Sequence, residues 1–145
     1  MKQICLMLVV LFAGITTFAQ NKGDRILGNW LSEDKDGKIQ VYKEGDKYFG
    51  KLIWSQHMFE KDGVTSRKDE KNSNPDLRNR NLKDLVILTD MEFDGDDSYS
   101  GGKIYDPKSG KTYSCNMRLK GDKIDIRGFV GVSLFGRTSV WTRTE

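Results

Sequence analysis

Three stretches of the sequence set reactive residue types at spacings that could do chemistry. The first, GGKIYDPKSGKTYS at 101–114, ends in S-G-K-T, the tail of a phosphate-binding loop. Such a loop carries a further glycine five residues earlier and opens a helix, because backbone N–H groups and the helix N-terminus together cradle the phosphate. Here Tyr105 occupies that earlier position, and 112–119 alternates polar and apolar residues as a half-buried strand does. The stretch therefore predicts a hairpin turn, opened by Asp106 and Pro107 and closed by Gly110 at positive φ. The second stretch, DMEFDGDD at 90–97, places Asp90, Glu92 and Asp94 at alternate positions followed by Gly95, like the start of a calcium loop. Gly101 stands where the closing bidentate Glu is required, so this too reads as a turn. The third is His57, the only histidine, with Ser55 and Asp62 nearby. No G-x-S-x-G elbow presents a serine, and one imidazole with few thiols cannot build a zinc or copper site. The expectation is a non-enzyme with no catalytic residues, no metal and no cofactor.

The bulk properties point to export. Lys2, the apolar run 4–12 and Thr17-Phe18-Ala19 read as the basic, hydrophobic and cleavage regions of a signal peptide at 1–19. The mature domain then covers 20–145, in a periplasmic or extracellular setting, and the apolar run is too short to span a bilayer. Cys5 leaves with the leader, so Cys115 has no intramolecular partner and is expected as a buried thiol. Removing Lys2 takes the formal charge from +3 to +2, with both signs interleaved, which argues against nucleic acid as a partner. The charge-dense 60–83 segment is expected as a solvated loop.

Short β-branched and aromatic runs punctuated by Gly, Asp and Asn predict an all-β chain: strands at 27–32, 38–43, 47–54, 85–92, 98–105, 111–119, 123–130 and 137–144. Eight strands suffice to close a single up-and-down antiparallel barrel, which removes exposed edges. A loop at 121–122 sets Leu119 opposite Ile124, Met117 opposite Ile126 and Cys115 opposite Gly128; a loop at 107–110 sets Ile104 opposite Tyr113 and Gly102 opposite Cys115. Tight loops at 44–46, 93–97 and 121–122 gather at one end. The long 55–84 connection and the apolar 131–136 loop, GVSLFG, gather at the other, the expected functional rim.

The opening strand carries G-N-W at 28–30 and the last strand Trp141 and Arg143. Together with Tyr48-x-Gly50-Lys51, NPDLRNR, GGKIYDPKSGKTY, RGFVG and LFGRTSVWTR, these resemble the family catalogued as domain of unknown function 2147, small exported bacterial proteins with a lipocalin-like, calycin-type barrel. The resemblance covers nearly all of the mature chain; it implies fold and export and carries over no activity. Asn81-Leu82-Lys83-Asp84 departs from the expected proline and glycine. Trp30 and Arg143 are expected to meet as a structural cation–π pair, with Trp141 beside them.

Apolar side chains at Ile39, Val41, Tyr48, Leu52, Trp54, Val86 and Leu88 are expected inside, and Gly50, Gly102 and Gly128 to leave space near the rim. Asp125 and Arg127 read as an exposed, solvated pair. The leading functional expectation is a monomeric binder of a small apolar or amphipathic, anionic ligand, lined by Trp54, Tyr113, Phe129 and Phe135, with Arg80 and Arg137 for the head group. In this picture Leu77 covers Phe135. The alternative is a filled barrel that displays 131–137 to a protein partner.

Overall fold

The structure, a computed structural model, describes residues 21–145, so the leader assigned to 1–19, with Cys5, lies outside the described residues. Eight strands run in chain order around a closed barrel: β1 (Gly28–Leu31), β2 (Gly37–Glu44), β3 (Lys47–Ser55), β4 (Val86–Gly95), β5 (Ser98–Asp106), β6 (Lys111–Lys120), β7 (Lys123–Phe129) and β8 (Arg137–Thr144). Both registers argued from hydrophobic alternation are present: Leu119, Met117 and Cys115 face Ile124, Ile126 and Gly128, and Ile104 faces Tyr113. The S-G-K-T stretch is the β5–β6 turn, where Gly110 at φ 73° donates its N–H to the Asp106 carbonyl at 2.8 Å. The DMEFDGDD stretch lies mostly in β4, which runs on to Gly95. The β4–β5 turn is shorter than expected: Gly95 pairs with Ser98, and Asp96 and Asp97 both take positive φ, the conformation of a tight two-residue hairpin.

One end of the barrel is sealed by the 3-10 turn Lys22–Ile26, which tucks Ile26 into the core beneath Trp30. Asp24 accepts hydrogen bonds from Tyr48 Oη at 2.7 Å and Lys43 Nζ at 2.9 Å, and Tyr99 Oη donates to the Gly23 carbonyl at 2.7 Å. The Lys43 and Tyr48 bonds hold the Asp24 carboxyl below its ordinary range, while burial and the Asp24 bond push the Tyr48 hydroxyl up.

Bulges bend the wall and re-aim side chains. Lys38 pairs with Trp54 while Ile39 pairs with Leu52, so Ile53 is an extra residue and Trp54 swings to the outer face. Trp54 is accordingly 37% exposed, in an outer groove of about 520 Å³ with Leu31, Lys38 and Ile53. A second bulge, at Ile87, turns Val86 outward and leaves both Ile87 and Leu88 buried. The expected inward placement of Trp54 and Val86 is thus corrected by one inserted residue in each case.

Of the three inner glycines, Gly50 and Gly102 do not leave space, whereas a Cβ on Gly128 meets only ordinary contacts. A Cβ on Gly50 would come within 3.0 Å of Leu88, and one on Gly102 would overlap the Met91 sulfur, so larger neighbours already occupy those gaps. Cys115 is a buried free thiol whose pKa desolvation pushes up to about 12. Among the described residues, no helix is long and apolar enough to cross a membrane.

Candidate functional site

The β3–β4 connection decides which part of the mouth is open. It is an ordered cover with local ladders at Phe59↔Ser66 and Lys68↔Asn81, and it drops Met58 into the core. Its anchor is Asp69, 1% exposed, which the expectation of a solvated loop did not foresee. The Asp69 carboxylate accepts from Tyr105 Oη at 2.5 Å, Arg80 Nη2 at 2.8 Å and Asn72 Nδ2 at 2.9 Å. Burial and the bond to Asp69 push the Tyr105 hydroxyl up to about 12. Gly110 completes the latch: a side chain there would overlap the Lys71 carbonyl, so the cover lies directly on the β5–β6 hairpin.

Residues paired across an antiparallel ladder share a face. On that basis Ile104, Tyr113, Gly128, Arg137, Ser139 and Trp141 all face inward, the last three opposite Gly128, Ile126 and Ile124. Yet Ile104, Tyr113, Gly128, Ser139 and Trp141 are only half-buried and Arg137 is exposed, whereas Ile39, Leu52 and Leu88 across the barrel are buried under the cover. The asymmetry has a second cause in β1. With four residues, it pairs with β8 only at Asn29↔Thr144, Trp30↔Arg143 and Leu31↔Thr142, so the first half of β8 lacks a ladder partner on that side. Only the Glu33 carboxylate approaches there, 3.4 Å from the Val140 N–H. The rim is therefore less covered over β5–β8 than on the opposite side, a notch whose inner wall is half-exposed and carries Arg137.

Of the expected ligand-binding residues, the structure brings Tyr113 and Arg137 together on this wall. Trp54 is outside. Phe129 is on the outer face, opposite Ser114, because its neighbour Gly128 takes the inner position. Arg80 is held by Asp69 and so is not poised for a ligand head group. Phe135 is 80% exposed at the loop tip; Leu77 does not cover it. Ile104, Ser139 and Trp141 join the wall without having been foreseen as ligand contacts.

The two chemistries weighed for other stretches find different partners. The Asp62 carboxylate accepts from Val64 N, Thr65 N and Thr65 Oγ1, and these bonds lower its pKa; it builds a turn rather than a triad with His57. In the 90–97 stretch Glu92 lies 3.6 Å from Lys47 and Asp97 pairs with Arg25. Among the described residues, no group of three or more His, Cys, Asp or Glu side chains is placed to hold a metal.

The model of the family described as "uncharacterized protein conserved in bacteria (DUF2147)" matches residues 28–143, from the glycine that opens β1 to the arginine near the end of β8. The chain belongs to the DUF2147 family. Among solved structures, this DUF2147 chain is similar to protein HP1028 from the human pathogen Helicobacter pylori, described as belonging to the lipocalin family. The identity is 27%, the match covers 82% of each chain, and the TM-score is 0.72. No curated protein sequence matches the chain. The fold of this DUF2147 protein is a lipocalin-like barrel, a framework suited in general to holding small molecules.

Proposed function

We propose that this DUF2147 protein is an exported binding protein that takes a small apolar or amphipathic molecule, with an anionic head, into the rim notch over β5–β8. The observation that carries the reading is the half-exposed inner wall itself: Ile104, Tyr113 and Trp141 offer apolar contact while Arg137, exposed on the same face, offers a cation near the rim. Exposed apolar side chains on an inner barrel wall are unfavourable in water unless a ligand covers them. A guanidinium beside that wall selects a carboxylate, sulfate or phosphate head by charge-assisted hydrogen bonds. Export rests on the signal-peptide features at 1–19.

Native mass spectrometry of gently purified protein tests this reading. Co-purified mass that disappears in a Gly128→Leu protein is the expected result. Gly128 suits this purpose because a Cβ there meets Tyr113 and Ile104 at ordinary contact distances of 3.5 and 3.6 Å, so a larger side chain fills the notch without forcing the backbone. Clean apo protein that also ignores added amphiphiles contradicts the reading.

A further inference from the structure

The loop from Val130 to Gly136 stands beside the notch and turns its apolar side chains to the outside. Val130, Val132, Leu134 and Phe135 are exposed, Leu134 and Phe135 at 78% and 80%. From Gly128 to Gly136 the chain carries no charge. A flexible loop of this composition would collapse onto the barrel; this one is held outward by Arg127. Its guanidinium donates through Nε to the Ser133 carbonyl at 2.7 Å, through Nη2 to the Leu134 carbonyl at 3.2 Å and through Nη1 to Thr138 Oγ1 at 2.8 Å. Asp125, expected to pair with Arg127 as a solvated couple, is instead bound by Lys120 at 2.5 Å. The 3-10 turn Ser133–Phe135 adds Phe135 N to the Val132 carbonyl and Gly136 N to the Ser133 carbonyl. The carbonyls of Val132, Ser133 and Leu134 are thus all satisfied from within the protein.

We infer that the 130–136 loop is a membrane-contact tip that inserts into the surface of an anionic lipid bilayer, next to the notch where ligand enters. Three observations favour lipid over a protein groove. Val130, Val132, Leu134 and Phe135, each more than half exposed, project from one loop with no charged residue among them, a composition that can enter a lipid interface without burying a charge. The carbonyls of Val132, Ser133 and Leu134 already have donors, which lowers the cost of moving this part of the loop out of bulk water, since unpaired backbone groups would otherwise be exposed to lipid. The surrounding charge is cationic. Arg127 and Arg137 flank the loop with no carboxylate between them, and Lys111 lies exposed on β6, which pairs with β7 up to Ser114↔Phe129. Of the carboxylates on the β1–β2 and β5–β6 loops, Asp36 is paired with Lys108, whereas Glu33 and Asp106 accept only neutral donors and Asp34 is exposed, so the cationic character is local to the loop and its flanks. An interfacial apolar patch flanked by free cations binds anionic surfaces through the two contributions together. The loop is also pre-ordered, so docking costs little conformational entropy.

Flotation with lipid vesicles, using the chain from residue 21, tests the inference. Wild type is expected to float with vesicles of phosphatidylcholine mixed with phosphatidylglycerol, more weakly with phosphatidylcholine alone, and less at high salt. Leu134→Ser with Phe135→Ser should weaken partitioning at least ~tenfold, and Arg137→Ala about fivefold on the anionic vesicles only. Melting temperatures near wild type would show that the variants fold. Failure of wild type to float with anionic vesicles, or equal flotation of the tip double variant, overturns the inference. So does sedimentation showing that the tip instead drives self-association or holds a protein partner without vesicle binding. A soluble fluorescent amphiphile titrated without vesicles separates this inference from ligand binding in the notch: the tip double variant should still bind it within a few-fold, while Gly128→Leu should float yet fail to bind it.

Discussion

The guanidinium carbon of Arg143 lies 4.3 Å from the centroid of the Trp30 ring, and the same side chain donates to the carbonyls of Leu27 at 2.8 Å and Arg25 at 2.6 Å. Trp30 is fully buried and gives its indole N–H to the Ile26 carbonyl at 2.9 Å. One cation thus caps an aromatic ring and fastens the N-terminal turn to the last strand, closing the barrel where β1 meets β8.

Replacing these residues should cost stability and spare the distant notch. Trp30→Ala is expected to lose about 3–5 kcal/mol, the range for truncating a large buried aromatic, and Arg143→Ala about 1.5–3 kcal/mol for its charge-assisted bonds. Urea unfolding measures both. A Trp30→Ala midpoint equal to wild type would remove Trp30 from the core.

The latch at Asp69 predicts a local effect. Asp69→Ala leaves Tyr105, Arg80 and Asn72 without their shared acceptor, and losing hydrogen bonds to a buried carboxylate costs about 1.5–3 kcal/mol, the part-exposed Arg80 being rehydrated. The loss should concentrate in the cover, so limited proteolysis within 60–83 should accelerate well before the barrel strands lose hydrogen-exchange protection. Uniform loosening of the whole chain would argue against a separate cover.

Acid should weaken both the sealed end, through Asp24, and the β1–β2 loop at the rim, through Asp36. The pKa of Asp24 is lowered in the folded state by Lys43 and Tyr48, and that of Asp36 by Lys108 and Ser32. A depressed carboxylate contributes stability that is present above its unfolded pKa, about 3.9, and is lost as pH falls through the folded value. Urea midpoints should therefore drop below about pH 4, and Asp24→Asn should flatten that part of the profile while lowering stability at neutral pH. An Asp24→Asn profile parallel to wild type through this range would show that Asp24 is not the group responsible.

Cys115 should resist thiol reagents. With its pKa pushed up to about 12 by burial, almost no thiolate exists at pH 8, and the barrel wall blocks access. Labelling is expected only on the timescale of unfolding, and fast labelling of native protein would place the β6–β7 wall in motion.

Much of the fold was legible because one rule, alternation, governs it. Leu119, Met117 and Cys115 opposite Ile124, Ile126 and Gly128 followed from a two-residue loop and matched apolar faces. The same rule already put Phe129 outside, next to inward Gly128. Trp54 and Val86 escaped it because a bulge inserts one residue and reverses the facing, a local event with no composition signal. The notch was half legible. Tyr113 lies two residues before Cys115 on the inner face, but the inward turn of Arg137, Ser139 and Trp141 depends on a β7–β8 register spanning a long loop that alternation alone does not fix. Asp69 gave no sign of burial among its charged neighbours, since its partners Tyr105 and Arg80 are set by tertiary packing.

The central claim is that the notch over β5–β8 holds an amphipathic anion, and an equilibrium titration of a fluorescent fatty acid tests it most directly. Wild type, Arg137→Ala, Gly128→Leu and Trp54→Ala should be compared in the absence of lipid vesicles. Saturable one-to-one binding is predicted for wild type and for Trp54→Ala, whose side chain lies on the outer face. Arg137→Ala should bind about tenfold more weakly, the effect of losing a charge-assisted bond, and Gly128→Leu should not bind. No saturable binding by wild type, or the same affinity in all four proteins, would contradict it.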